Sequence, residues 1–160
     1  MHEEIKEFLI SLGRTPVDIA LLLTEIPTAS LTVRQAVEEF SILESVCHLR
    51  DIETEGYSIR INRILNEDNP FLSDLDGSRL AIERDYNRQS LNEAIVSFTV
   101  ARKQNLVVLN AATEEQFARE GELEGVGVVS LAKLVEMMCD HDEGHIEEMQ
   151  RLSRLLRNRT

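Results

Sequence analysis

The run Leu131-Ala-Lys-Leu134-Val-Glu-Met-Met138-Cys-Asp-His141-Asp-Glu-Gly-His145-Ile-Glu-Glu148 sets apolar residues and histidines on one repeat of three and four. Carried onward, the stripe reads Leu131, Leu134, Met138, His141, His145, Glu148, Leu152 and Leu155. That spacing predicts a helix capped by Ser130 and running to about Asn158, with both histidines on its core-facing seam. Side chains four apart share a helix face, so the two imidazoles can reach one point. In an apolar seam their ring nitrogens are poorly satisfied unless something polar lies between them, and a metal ion satisfies both rings at once.

The same period runs through the rest of the chain. Ser41-Ile-Leu-Glu44 has the form of a capping box and predicts a helix to about Asn66, with His48 in its second turn and Ile52 and Ile59 on its stripe. Ser90-Leu-Asn-Glu93 opens another, whose inner face is Leu91, Ile95, Phe98, Arg102, Leu106 and Leu109, ending near Ala111. Arg102 is the polar intruder on that stripe. Near the start, residues 3 to 12 read as helix, and Gly13-Arg-Thr15-Pro16 reads as a stop that caps a second piece through Glu25. Residues 26 to 40 carry no clear pattern. Between the second and third long helices, Asn69-Pro70 and Asp76-Gly77 turn the chain, with a short extra helix expected over Leu80 to Tyr86. Thr113-Glu-Glu-Gln116 starts a short helical turn, and Gly121, Gly125 and Gly127 read as a loop. Four long helices with one long crossover predict an all-α four-helix bundle, a single domain over residues 1–160.

Composition narrows the partners. With 17 Lys and Arg against 29 Asp and Glu, the net charge is −12, and no basic segment offers a footprint for a phosphate backbone. Nucleic acid is therefore not expected. The longest apolar stretch, Ile19-Ala-Leu-Leu-Leu23, is far too short for a bilayer span, and the acidic start His2-Glu-Glu argues against a secretory leader. A cytoplasmic protein without membrane contact is expected. Cys47 and Cys139 have neither the density nor the spacing of a disulfide framework and read as reduced core residues.

His2 adjoins the start methionine and reads as a bystander, which leaves His48 as the third member of a set with His141 and His145. Three histidines on two helices would hold one metal and leave positions open, and zinc, nickel, copper and iron all suit imidazole. Glu44, four before His48, and Asp51, three after it, are spaced to orient its ring. A ferritin-like di-iron site would need two Glu-x-x-His elements, which are absent. A zincin needs His-Glu-x-x-His, whereas Asp142 stands in the acid's slot here, with only a short tail downstream for a further ligand.

Several segments together resemble the DinB superfamily, small four-helix proteins that include thiol-dependent transferases of the YfiT-like and bacillithiol transferase type. Phe40-Ser-Ile-Leu-Glu-Ser-Val-Cys-His48-Leu-Arg-Asp-Ile-Glu53 is similar to the segment around that family's first ligand, and His141-Asp-Glu-Gly-His145 to its closing pair. Pro70-Phe-Leu-Ser-Asp-Leu-Asp-Gly77, Glu83-Arg-Asp-Tyr86 and Phe98-Thr-Val-Ala-Arg102 keep the family's order between them. The resemblance extends from about Thr15 to Leu156. It implies a divalent nickel, zinc or iron held by His48, His141 and His145, a small-molecule substrate, a low-molecular-weight thiol as possible co-substrate, and frequent homodimers. Phe40 departs from a tryptophan that family members often carry there.

A three-histidine metal with open positions supports either hydrolysis or thiol transfer, so a metal-dependent hydrolase or thiol S-transferase is expected. The rival expectation is a non-catalytic metal-binding or stress-related interaction protein on the same fold. Arg102 could offer its guanidinium to a substrate carboxylate, although an ion pair with Glu148, Glu44 or Asp51 inside the bundle is the plainer expectation. Asp142 is a weak candidate for a general base and is otherwise expected to cap or face solvent.

Overall fold

Ser41 and Glu44 form the predicted capping box: the serine hydroxyl accepts from the Glu44 amide at 3.2 Å, and the Glu44 carboxylate accepts from the Ser41 amide at 2.8 Å. The computed structural model describes residues 2–157, with side chains from Glu3 to Leu156. The helix end expected at Asn158 and the side chain of His2 lie outside the described residues. Helix α1 spans His2–Thr24, α2 Ile42–Asp51, α3 Ser58–Asn66, α4 Gly77–Glu83, α5 Leu91–Ala111, α6 Glu114–Phe117 and α7 Leu131–Arg157. A π-helical turn, Ile52–Tyr57, joins α2 to α3 as one continuous element. That element, α1, α5 and α7 form the bundle, in which α1 and α2 each pack on both α5 and α7. The expected all-α four-helix bundle is the fold observed.

The buried apolar side chains fall into two groups. One holds Leu12, Ile52, Ile61, Leu109, Leu131 and Met138, and the other Ile19, Leu49, Phe98, Met149 and Leu152. On each bundle helix the switch falls at the same height, and a polar layer occupies that level: Thr15, Asp51 and Glu53, Arg102 and Asn105, and Asp142. Arg102, 1% exposed, sits at its centre. Its guanidinium donates to both oxygens of Glu53 at 2.9 and 2.8 Å, to both oxygens of Asp142 at 2.6 and 3.2 Å, and to the Leu12 carbonyl at 3.0 Å. Every guanidinium N–H thereby has an acceptor. Asn105 adds a further bond to Glu53 at 2.7 Å.

This contact explains why the expected break at Gly13–Pro16 does not occur. Pro16 lies inside α1, which runs unbroken. A proline removes the N–H that would bond the carbonyl four residues back, here Leu12. The Arg102 guanidinium takes that carbonyl instead, so the helix continues without a buried orphan acceptor.

The second long element departs from the expected stripe at the π turn, where the Ser58 amide bonds the Glu53 carbonyl five residues back. One extra residue rotates everything downstream by about 100°. Tyr57, Ile61 and Ile64 therefore face the core, and Ile59 is 52% exposed instead of lying on the His48 stripe. The crossover carries α4, whose cap is Asp76 accepting from the Arg79 amide, and a 3-10 turn at Tyr86–Arg88. A small sheet was not expected. Strand β1, Phe71–Leu72, pairs parallel with β2, Glu120–Leu123, which forms an antiparallel hairpin with β3, Gly127–Ser130. The hairpin turn needs Gly125 and Gly127 at φ of +76° and +102°; β2 alternates exposed and buried residues, but one of its two buried positions is Gly121, which carries no apolar side chain to mark the period.

Replacing Arg102 by methionine would strand two buried carboxylates and the Leu12 carbonyl. We expect Arg102→Met to lower the unfolding free energy by about 3–5 kcal/mol in urea titrations, against about 0.5 kcal/mol or less for the exposed neighbour Lys103→Met.

Candidate metal centre

His48 projects from α2, and His141 and His145 from α7, just beside the Arg102 layer. One ring nitrogen from each lies within 4.8 Å of the other two. The Nε2 atoms of His48 and His141 are 3.0 Å apart, and the ring centroids are separated by 4.6 to 5.1 Å. The structure thus gathers the three histidines singled out from sequence. Among the described residues no other histidine, cysteine or acid joins this group.

The site is short of protein partners. The Nδ1 atoms of both His141 and His145 are buried without a hydrogen bond. Burial and the neighbouring imidazoles push the pKa values of His48 and His141 down to about 3 from 6.5, and burial lowers that of His145. All three rings are neutral at pH 7, the state in which imidazole binds metal. Two Nε2 atoms 3.0 Å apart stand at hydrogen-bond distance. That is also the separation of two cis ligands about 2.1 Å from a shared ion. The donor set therefore fits a divalent metal.

The surroundings differ from the expected ones. Glu44 does not orient His48: both its oxygens are taken by Arg34, one of them also by the Ser41 amide. Asp51 is likewise committed, one oxygen to Arg50 at 2.7 Å and the other to Arg84 and the Tyr86 hydroxyl at 2.7 and 2.6 Å. It acts on His48 only through its charge. What holds the His48 ring is packing. Phe40 lies 5.3 Å from it, centroid to centroid, and a Cβ on Gly77 would come within 2.5 Å of its Cε1 and Nδ1 atoms. Gly77 is glycine because the ring occupies that space. Tyr57 meets His141 edge-on at 6.0 Å. These contacts were invisible in the sequence, although Asp76-Gly77 already marked a turn.

The seam of α7 is also shifted. Leu131, Leu134, Met138 and Leu152 of the expected stripe are buried, but the buried face also takes in Val135, Asp142, Met149 and Leu156, while Leu155 is 41% exposed. Asp142 therefore does not face solvent or an open metal position; it is 2% exposed and bound by Arg102. Arg102 pairs with Glu53 and Asp142, not with Glu148, Glu44 or Asp51, and has no donor left for a substrate. His141 and His145 flank the seam at its edge, half-buried, where the bundle opens. Cys47 and Cys139 are buried free thiols as expected, with pKa values raised to about 11 and 12 by burial.

The opening is a cleft of about 190 Å³ lined by His145, Phe40, Ser78, Leu152 and a charged rim of Glu38, Glu39, Glu148 and Arg151. Arg151 and Glu39 pair across it at 2.9 Å. A wider groove beside Leu22 and Gln150 touches none of the histidines.

The model of the DinB superfamily matches residues 11–149, and the chain belongs to that superfamily. Among solved structures, YfiT from Bacillus subtilis, described as a probable metal-dependent hydrolase with an unusual four-helix bundle topology, superposes with a TM-score of 0.90 at 17% identity. The match covers 98% of this chain and 89% of that one, and at such identity it establishes the shared fold. No curated protein matches the sequence. No helix among the described residues is long and apolar enough to cross a membrane.

Two outcomes are expected. Gly77→Ala should push the His48 ring aside and weaken metal binding at least severalfold while leaving the helical content unchanged, as read by metal titration and circular dichroism. In metal-free protein, the unfolded chain takes up protons near pH 6.5 that the folded histidines refuse until about pH 3. Stability should therefore fall as pH drops from 6.5 to 5, by at most about 1.4 kcal/mol per pH unit for each histidine, and His141→Gln should flatten that slope.

Proposed function

We propose that the protein is a metal-dependent enzyme acting on a small molecule, with His48, His141 and His145 as the metal ligands and hydrolysis as the favoured reaction. The observation that carries this reading is the group of three neutral imidazoles, two of them with an unpartnered buried Nδ1, of which His145 lines a cleft, and among the described residues no fourth protein ligand closes the site. When bound, a divalent metal supplies Lewis acidity that activates a nucleophile at neutral pH. The chain's own residues do the rest. Phe40 and Gly77 fix the His48 ring, Phe40 also stacks against His145 at 6.2 Å, and the cleft admits a substrate of modest size.

Water is favoured over a low-molecular-weight thiol by the rim. Glu38, Glu39 and Glu148 outnumber Arg151 there, and this excess of negative charge disfavours entry of a thiolate or a carboxylate-bearing thiol. Neither Cys47 nor Cys139 reaches the site, so thiol transfer would need an external thiol. The open site favours the enzyme over the non-catalytic rival.

Untagged protein purified without chelators should carry about one divalent metal per chain by elemental mass spectrometry, and His48→Ala should lose most of it together with several degrees of thermal midpoint. Metal-loaded protein should hydrolyse some members of a panel of small esters and amides without added thiol. Absence of stoichiometric metal, with His48→Ala indistinguishable from wild type, would sink the proposal; turnover only when a thiol is supplied would replace hydrolysis by thiol transfer.

A further inference from the structure

The acids around the histidines are nearly all engaged elsewhere. Glu44 serves Arg34 and the α2 cap, Asp51 serves Arg50, Arg84 and Tyr86, and Glu53 and Asp142 serve Arg102. Glu148 differs. It lies one helical turn after His145, on the same face of α7, and its Oε2 stands 3.5 Å from Nδ1 of that ring. That Nδ1 has no hydrogen-bond partner although it is buried. Among the described residues, Glu148 makes no other ion pair.

Resting on the metal-site reading above, we propose that Glu148 is the positioning residue for His145, accepting a hydrogen bond from its Nδ1–H when Nε2 binds the metal. Coordination through one ring nitrogen fixes the tautomer by requiring the proton on the other, and a carboxylate accepting that proton holds the ring's angle and raises its basicity. The gap of 3.5 Å is slightly too long for a good bond. Glu148 has its side chain 57% exposed, so a small rotation closes the gap without disturbing the core. The same assignment keeps Glu148 out of the metal's own coordination, which leaves the cleft side open to substrate.

The test uses full-length protein stripped of metal, with zinc as the probe, titrated against a competing chelating dye. Glu148→Ala should weaken zinc binding by about 10- to 100-fold. Glu148→Gln, whose amide oxygen still accepts the bond, should recover most of that loss, and Glu147→Ala, on the exposed neighbouring position, should bind as wild type does. Thermal midpoints of the metal-free variants should coincide, which separates positioning from a structural role. Nitrogen-15 NMR of the zinc-loaded protein should show the His145 proton on Nδ1. Binding by Glu148→Ala within about twofold of wild type, or a proton on Nε2 instead, overturns this inference alone; failure of the wild type to bind zinc overturns it together with the metal-site reading.

Discussion

A single buried guanidinium organises this bundle. Arg102 stands where four helices would otherwise meet through apolar side chains, and it joins three of their elements at once through Leu12, Glu53 and Asp142. Two buried carboxylates against one guanidinium would be costly in isolation, and Asn105 relieves part of the excess by donating to Glu53. The arrangement has one low-cost geometry. It fixes the rotation of α7 through Asp142 and the register of the α2–α3 element through Glu53, and both determine where the histidines point.

That dependence reaches local features that look unrelated. Pro16 is tolerated inside α1 because Arg102 supplies the donor the proline lacks, and the π turn at Ile52–Tyr57 carries Glu53 to the guanidinium while returning Tyr57 and Ile61 to the core. The candidate metal centre lies beside the same polar layer, where His141 adjoins the Arg102 partner Asp142 and His145 lines the cleft. The Arg102 network is thus flanked by two groups of buried apolar side chains, which keep water from it.

Sequence pattern was a good guide wherever the signal was local. The capping box at Ser41–Glu44, the limits of α5, the start of α7, the long crossover and the two thiols in the core were all legible, since each depends on residues within a turn or two. The three histidines were legible as a set because two share a helix face and the chain has only one other histidine, His2. Errors arose where a distant partner intervened. The expected break at Pro16, the Ile59 stripe, the solvent-facing Asp142 and the roles given to Glu44 and Asp51 all assumed that a residue's neighbours in sequence decide its environment. The short sheet escaped because β1 is held by pairing with β2, Phe71 with Glu122 and Leu72 with Leu123, far apart in sequence.

The sequence by itself determined the helices, their order and the identity of the histidine set, since periodicity and capping act through backbone geometry within a few residues. Only the tertiary structure decided which carboxylate serves which cation, why Gly77 must lack a Cβ, and that Glu148 is the acid beside a ring nitrogen. Those outcomes depend on the relative rotation of packed helices to within a fraction of a turn. A single extra residue in the π turn, or one donor from Arg102 to Leu12, is enough to change them.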